Sequence, residues 1–183
     1  YKYCQLGEGN CFLRVPPGCE MRPVLTGWFT AFDSRDRIGD RRVPYGPGAR
    51  AFGGATYDPT SHYRAAAVFD FFQEQGLTVD RLHDINRRQV RLLKTEFERL
   101  DCPASVASLE PMADVRRGGF LAIRVNDAPD IARRLRERGA HTDARGNVLR
   151  LGPAPYLRDD QLRDAVHLLG DVLRAGADRL AKW

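Results

Sequence analysis

The hydrophobic positions in the second half of the chain form a regular series of predicted elements. From Val79 to Leu100, apolar residues recur every three or four positions, which predicts a long amphipathic helix. Two short apolar segments, Phe120–Val125 and Val148–Leu151, predict strands. Further helices are predicted over Ala128–Arg138 and from Arg158 onward. From about residue 104 the order is strand, strand, helix, strand, strand, helix, which predicts a small α/β unit with its own core.

The first half of the chain is less regular. Asn10–Val15 is short, apolar and followed by Pro-Pro-Gly, which predicts a strand and its end. Residues 33–54 are rich in Arg, Asp, Gly and Pro, a composition typical of a functional or interface loop. A helix is predicted from Thr60 or Ser61, either of which could cap it, to a stop at Gly76.

Composition and charge exclude several classes of protein. The 183 residues carry 29 Lys+Arg against 24 Asp+Glu, a formal net charge of +5. The arginines are interleaved with acidic residues and no block of five like charges occurs, so solvated helix faces are favoured over a nucleic-acid site. The 43% of hydrophobic residues argues against a disordered chain. No apolar run approaches the roughly 18–20 residues of a membrane helix, so no membrane partner is expected.

The cysteines predict neither a metal site nor a disulfide framework. Cys4, Cys11, Cys19 and Cys102 lack C-x-x-C spacing, and the four histidines do not pair with them at zinc-ligand distances. A reduced, cytoplasmic protein with unpaired thiols is therefore expected, and no secretory signal is visible. The chain begins with Tyr1 rather than Met, and we expect it to be a piece of a longer protein.

A lysine between two tyrosines, followed by a glycine-containing turn, opens the chain. This Tyr1-Lys2-Tyr3 segment resembles the cofactor-lysine segment of fold type I pyridoxal-phosphate (PLP) enzymes, within the class V aminotransferase group and most like kynureninase. Further segments resemble kynureninase motifs in the family order: Gly27-Trp28-Phe29, Ala55-Thr56, Arg138-Gly139 with Asp143-x-Arg145, and Arg150 through Pro155-Tyr156.

The resemblance implies a domain organisation. Residues 1–60 would be the end of a large PLP-binding domain of the PLP-dependent transferase type, residues 61–103 connecting helices, and residues 104–183 a small C-terminal α/β domain. It also implies a homodimer with its active site at the interface.

The resemblance further implies a role for individual residues. Lys2 would form a Schiff base with the PLP aldehyde and move the substrate α-proton. Tyr1, Trp28 and Thr56 would hold the cofactor phosphate, with Thr56 acting across the dimer interface. Arg150 would bind the α-carboxylate of an amino-acid substrate, because a guanidinium fork matches a carboxylate. Asp143 and Arg145 are expected to form a supporting ion pair.

The chain also departs from the kynureninase pattern. Thr30-Ala31 replaces the usual Gly-His, and Pro155-Tyr156-Leu157 is rearranged, so the exact substrate stays open. Kynureninase-like hydrolytic Cβ–Cγ cleavage is the leading hypothesis. A class V aminotransferase, another PLP lyase, or a non-catalytic binding protein on the same fold are the alternatives. A cysteine desulfurase is disfavoured because residues 139–149 contain no cysteine.

Overall fold

The chain divides into two compact units. The computed structural model describes residues 6–34, 44–113 and 116–180, with side chains described as far as residue 176. Residues 1–76 form the N-terminal unit and residues 77–183 the C-terminal unit. The expected division into 1–60, 61–103 and 104–183 stays a prediction.

A four-stranded antiparallel sheet forms the centre of the C-terminal unit. Its strands are β1 (Ala107–Leu109), β2 (Leu121–Val125), β3 (Asp143–Arg145) and β4 (Val148–Leu151). The spatial order is β1-β2-β4-β3, so β4 lies between β2 and β3. The predicted strands at Phe120–Val125 and Val148–Leu151 are confirmed, as is the predicted order of strands and helices from residue 104.

Three helices complete this unit: α2 (Val79–Arg99), α3 (Ala128–Glu137) and α4 (Asp159–Leu180). The Thr78 hydroxyl caps α2 by accepting from the backbone N–H of Arg81 at 3.2 Å. Asp127 caps α3 in the same way from a left-handed backbone, with φ of 55°. The predicted helix stop at Gly139 is confirmed by its φ of +89°, a conformation that side-chain-bearing residues seldom adopt.

The helices pack on one face of the sheet. Leu121, Ile123 and Leu149 are fully buried and belong to the same core cluster as the apolar residues of α2, α3 and α4. Successive side chains of a strand point to opposite faces, so the residues between them point away from the helices. We call that opposite side the outer face, and it carries Ala122, Arg124, Val148 and Arg150.

The N-terminal unit contains two short 3-10 helices, Trp28–Ser34 and Gly48–Phe52, and one long helix, α1 (Thr60–Glu74). The predicted helix is confirmed, but its start was assigned to the wrong capping residue. Asp58, not Thr60 or Ser61, supplies the oxygen, which accepts from the backbone N–H of Thr60 at 2.9 Å and from its hydroxyl at 2.6 Å. The hydroxyl bond, and then the backbone bond, lowers the pKa of Asp58 below its ordinary value.

The strand predicted at Asn10–Val15 is wrong. These residues form an irregular segment, and the Phe12 side chain is 95% exposed. A strand is stabilised by hydrogen bonds to a neighbouring strand, and the described part of the N-terminal unit contains none. The apolar run therefore has no neighbouring strand with which to form hydrogen bonds in the described part of this unit.

Candidate functional site

Arg150 occupies the outer face at the centre of the sheet. It is the third residue of β4, paired across the sheet with Ala122 of β2 on one side and Asp143 of β3 on the other. Its neighbours Leu149 and Leu151 point into the core, so the guanidinium projects away from the helices. The Arg150 side chain is 28% exposed, which leaves part of it accessible to a ligand.

Two neighbours fix the orientation of the Arg150 guanidinium. Its Nη2 forms an ion pair with the Asp143 carboxylate. Its Cζ lies 5.2 Å from the centre of the Phe120 ring, within the range of a cation–π contact. The expected Asp143–Arg145 pair is also present, with Nε of Arg145 3.7 Å from the carboxylate. Asp143 therefore contacts two arginines.

The pairing of Asp143 with Arg150 was not predicted, although the sequence carried a signal for it. Gly146-Asn147 separates two short strands, and a two-residue turn of this type favours a tight hairpin. Such a turn sets Arg145 opposite Val148, and counting outward sets Asp143 opposite Arg150. Phe120, just before β2, had no comparable signal because its contact depends on the packing of a different strand.

A buried glutamine on α2 forms hydrogen bonds to the loop that follows β4. Gln89 of α2 is fully buried, and its Nε2 donates to the carbonyl oxygens of Ala154 at 3.0 Å and Leu157 at 3.1 Å. The segment that follows β4 is therefore fixed to the longest helix of the core. The role of Gln89 was not predicted, although a polar side chain on the apolar face of α2 is a usable signal.

A cavity of about 570 Å³ lies on the helix side of the same unit. Its lining combines apolar residues such as Leu93 and Leu162 with polar ones such as His141, Gln161 and Asp164. The hydroxyl oxygen of Thr142, also in the lining, is buried without a hydrogen-bond partner. Arg150 projects from the other face of the sheet, so this cavity is separate from the candidate carboxylate site.

The structure brings the segment of Trp28 against the segment that leads to Thr56. The backbone N–H of Gly27 donates to Gly53 O at 2.9 Å, and that of Phe29 donates to Gly54 O at 3.0 Å. A Cβ added to Gly27 would lie 2.1 Å from the carbonyl carbon of Gly54, so only glycine allows this approach. The two predicted phosphate-binding residues therefore lie on adjoining segments.

These residues fit a phosphate in their chemistry. Thr56 is exposed, and Trp28 is 46% exposed while its ring packs against Phe29 and Phe32. A threonine hydroxyl and an indole N–H are both donors that phosphate oxygens accept. Lys2 and Tyr1 lie outside the described residues. Arg150 belongs to the C-terminal unit, whereas Trp28 and Thr56 belong to the N-terminal unit.

The described residues contain neither a metal-binding cluster nor a membrane-spanning helix. Over residues 6–34, 44–113 and 116–180, no cluster of three or more His, Cys, Asp or Glu side chains could hold a metal ion. No helix within those ranges is long and apolar enough to cross a membrane.

The chain is similar in sequence to kynureninases. Residues 84–169 match the family model of the kynureninase C-terminal domain. The kynureninase of Geobacillus thermodenitrificans (strain NG80-2) is 27% identical over 158 residues. That match covers 83% of this chain and 36% of the relative, so the chain spans about a third of the length of that protein. The family-model match contains Arg150, Asp143 and Gln89.

Comparison with solved structures supports the fold. One similar structure is adenosylmethionine-8-amino-7-oxononanoate aminotransferase from Methanocaldococcus jannaschii DSM 2661, which is 16% identical with a TM-score of 0.52. The match covers 68% of this chain and 30% of that aminotransferase. Another is acetylornithine aminotransferase from Elizabethkingia anophelis, which is 21% identical with a TM-score of 0.50. The match covers 76% of this chain and 32% of that aminotransferase. At these identities the likeness concerns the fold alone.

The expected fold class is confirmed: a mixed α/β chain that resembles the C-terminal part of the PLP-dependent aminotransferase fold. The matches to kynureninase, a PLP-dependent family, support the predicted cofactor. Residues 84–169 thus match a kynureninase C-terminal domain, and the chain as a whole is similar to the C-terminal portion of a fold type I PLP enzyme such as kynureninase.

Proposed function

We propose that this chain forms part of a PLP-dependent enzyme that cleaves the Cβ–Cγ bond of an amino acid by hydrolysis, as kynureninase does. The observation that carries the proposal is Arg150. It lies within the segment that matches the kynureninase C-terminal domain, on the outer face of the sheet, with its guanidinium held by Asp143 and Phe120. An oriented guanidinium fork binds a carboxylate through two parallel hydrogen bonds, and an amino-acid substrate supplies that carboxylate.

The residues of the N-terminal unit would hold the cofactor. In the proposal, Lys2 binds the PLP aldehyde through its amine, and Tyr1, Trp28 and Thr56 donate hydrogen bonds to the phosphate. The bound cofactor supplies an electron sink for the bonds made and broken at the substrate. The Lys2 amine, once released, would carry the α-proton as general base and then as general acid.

Arg150 would fix the substrate at its α-carboxylate. Hydrolysis adds one water across the Cβ–Cγ bond, which gives alanine and an aromatic acid when the substrate is kynurenine. Holding the carboxylate limits the rotation of the substrate about its Cα atom, and such positioning contributes directly to rate. A cytoplasmic homodimer, with Thr56 contributed across the interface, belongs to the same proposal.

The first experiment tests the cofactor lysine in the holoenzyme. Lys2→Ala should abolish the absorption band of lysine-bound PLP, and with it the covalent attachment that borohydride makes permanent. Lys94→Ala is the matched control, because Lys94 lies on α2 and pairs with Glu98 at 2.9 Å on the same helix. A band that persists unchanged in Lys2→Ala would overturn the assignment of Lys2.

The second experiment separates the proposed reaction from its alternatives. The holoenzyme is supplied with kynurenine and 3-hydroxykynurenine, and the products are identified. Alanine with an aromatic acid indicates hydrolytic cleavage, whereas a keto acid formed with an amino-group acceptor indicates an aminotransferase. The aminotransferase alternative is kept because the structural relatives are aminotransferases. Turnover of no amino acid, with PLP still bound, would favour the non-catalytic binding protein.

A further inference from the structure

Asp143 and Arg150 form an ion pair across two neighbouring strands. The two residues are direct cross-strand partners in the β3–β4 hairpin, and the pair lies on the outer face. The side chains are 50% and 28% exposed. Ion pairs at this exposure stabilise proteins by only about 0–1 kcal/mol, so stability alone gives little reason for the arrangement.

The contacts of Arg150 restrict its guanidinium in two independent ways. Asp143 accepts from Nη2 and so fixes the rotation of the group within its own plane. Phe120 lies beside the guanidinium at 5.2 Å and restricts the tilt of that plane. The N–H groups that Asp143 does not use keep a defined direction.

A second arginine on the outer face, Arg124, is more exposed than Arg150. Arg124 of β2 also pairs with a carboxylate, that of Glu110, but its side chain is 60% exposed. Arg150 is more enclosed than Arg124 and has an aromatic neighbour in addition to its acid. Between the two strands, Ala122 sits directly beside Arg150, and its small side chain leaves room next to the guanidinium.

We infer that Asp143 and Phe120 are positioning residues for substrate binding: together they hold the guanidinium of Arg150 so that its remaining N–H groups receive the α-carboxylate. The inference rests on the proposed function of Arg150. Neither residue contacts the substrate in this scheme. Their effect is to reduce the rotamer freedom that Arg150 loses on binding, and such preorganisation increases affinity.

The test compares variants of the holoenzyme with kynurenine as substrate and its decarboxylated amine as competitive inhibitor. Asp143→Ala should raise KM for kynurenine by about tenfold, which corresponds to about 1.4 kcal/mol of lost binding, with a smaller change in kcat. The inhibition constant of the amine should stay the same, because the amine has no carboxylate for Arg150. Asp143→Asn should restore most of the affinity, since its amide oxygen still accepts from Nη2.

Glu110→Ala is the matched control, because it removes the acid from Arg124 and leaves Arg150 intact. KM in that variant should equal that of the parent. Phe120→Leu should raise KM in the same direction as Asp143→Ala, and it serves as the test if Asp143→Ala folds poorly. Equal KM values in Asp143→Ala and Glu110→Ala, or an equal loss of affinity for the amine, would overturn the positioning role.

Arg150→Ala separates this inference from the proposed function. If Arg150→Ala leaves KM for kynurenine unchanged, the proposed carboxylate site is wrong and the positioning role falls with it. If Arg150→Ala raises KM strongly while Asp143→Ala and Phe120→Leu leave it unchanged, only the positioning role is wrong.

Discussion

At the scale of single residues, chemical type alone does not identify a functional side chain. Arg150 is one of 26 arginines, and its residue type carries almost no information. What distinguishes it is its position on a strand that is buried on one side, and the acid and the ring that contact it. Most other arginines in the described ion pairs are far more exposed, as in the pair of Arg50 with Asp33.

Cys102 gives a prediction about thiol reactivity. Burial raises the pKa of the Cys102 thiol above its ordinary value, whereas Cys11 is exposed. The thiolate is the reactive form, so at any pH below that raised pKa the folded protein holds less thiolate at Cys102 than an exposed cysteine would. Iodoacetamide at pH 8 should therefore label Cys11 several-fold faster than Cys102, as followed by peptide mass spectrometry.

Urea supplies the control for that labelling experiment. In the unfolded chain both thiols are solvated, and the two labelling rates should converge. The difference between the two labelling rates should also narrow as the pH is raised, because the partly buried Cys102 thiol has the raised pKa and ionises later. Equal rates in the folded protein would show that Cys102 is not shielded.

The residues of the candidate site were predictable to different degrees. Short ordered motifs predict Arg150, Trp28 and Thr56 as site residues, and these assignments stay predictions. Phe120 and Gln89 were not predicted, because their roles arise from contacts between segments 30 and more than 60 residues apart in the chain. Contacts of that kind depend on how helices and strands pack, and no local pattern encodes them.

At the scale of elements, α2 links the core to the segment that follows Arg150. Gln89 should matter for stability, because its Nε2 donates to both Ala154 O and Leu157 O. Gln89→Leu removes both bonds and leaves the Leu157 carbonyl without that partner, which should lower the free energy of unfolding by about 1–3 kcal/mol. Urea denaturation followed by circular dichroism measures the change.

Thr95→Leu is the control, since Thr95 is exposed on the same helix and its replacement should change stability by less than about 0.5 kcal/mol. If the Gln89→Leu variant has the same free energy of unfolding as the parent protein, other contacts hold the loop in place. Under the proposed function, a loosened loop should also weaken substrate binding at Arg150, because the loop follows β4 directly.

Helices were predicted from sequence more reliably than strands. The apolar stripe of α2 was long enough to be unambiguous. Of its residues, Leu82, Val90, Leu93 and Phe97 are buried, and Ile85 is half-buried. The short apolar run at Asn10–Val15 was ambiguous, because a strand exists only with a partner. Its sequence meets the local requirement for a strand, but the N-terminal unit, as far as the structure describes it, provides no strand to pair with.

At the scale of the whole molecule, the C-terminal unit should fold independently. Its core is contiguous and draws on β1, β2, β4 and all three helices of the unit. A fragment of residues 77–183 should therefore unfold cooperatively with heat or urea and keep the helical circular dichroism of the parent. Limited proteolysis of the chain should cut near Gly76, where α1 has ended and α2 has not begun.

Leu149→Ala within that fragment provides an internal check, because it removes a fully buried side chain and should cost about 3–5 kcal/mol. Val148→Ala, on the outer face, should cost much less. A fragment that shows no cooperative transition, or that is digested as fast as unfolded chain, would contradict its independence.

Because helices cover only one face of the sheet, the two faces are under different constraints during evolution. Along β4 the buried side chains that keep the domain folded alternate with outer-face side chains that include Arg150, the proposed carboxylate-binding residue, so the two tasks would fall on different positions of the same four residues. Substitution on the outer face can therefore alter ligand choice with little loss of stability, whereas the inner face tolerates little change. Selection for a new substrate should leave Leu149 and Leu151 alone and draw its variation from the residues around Arg150.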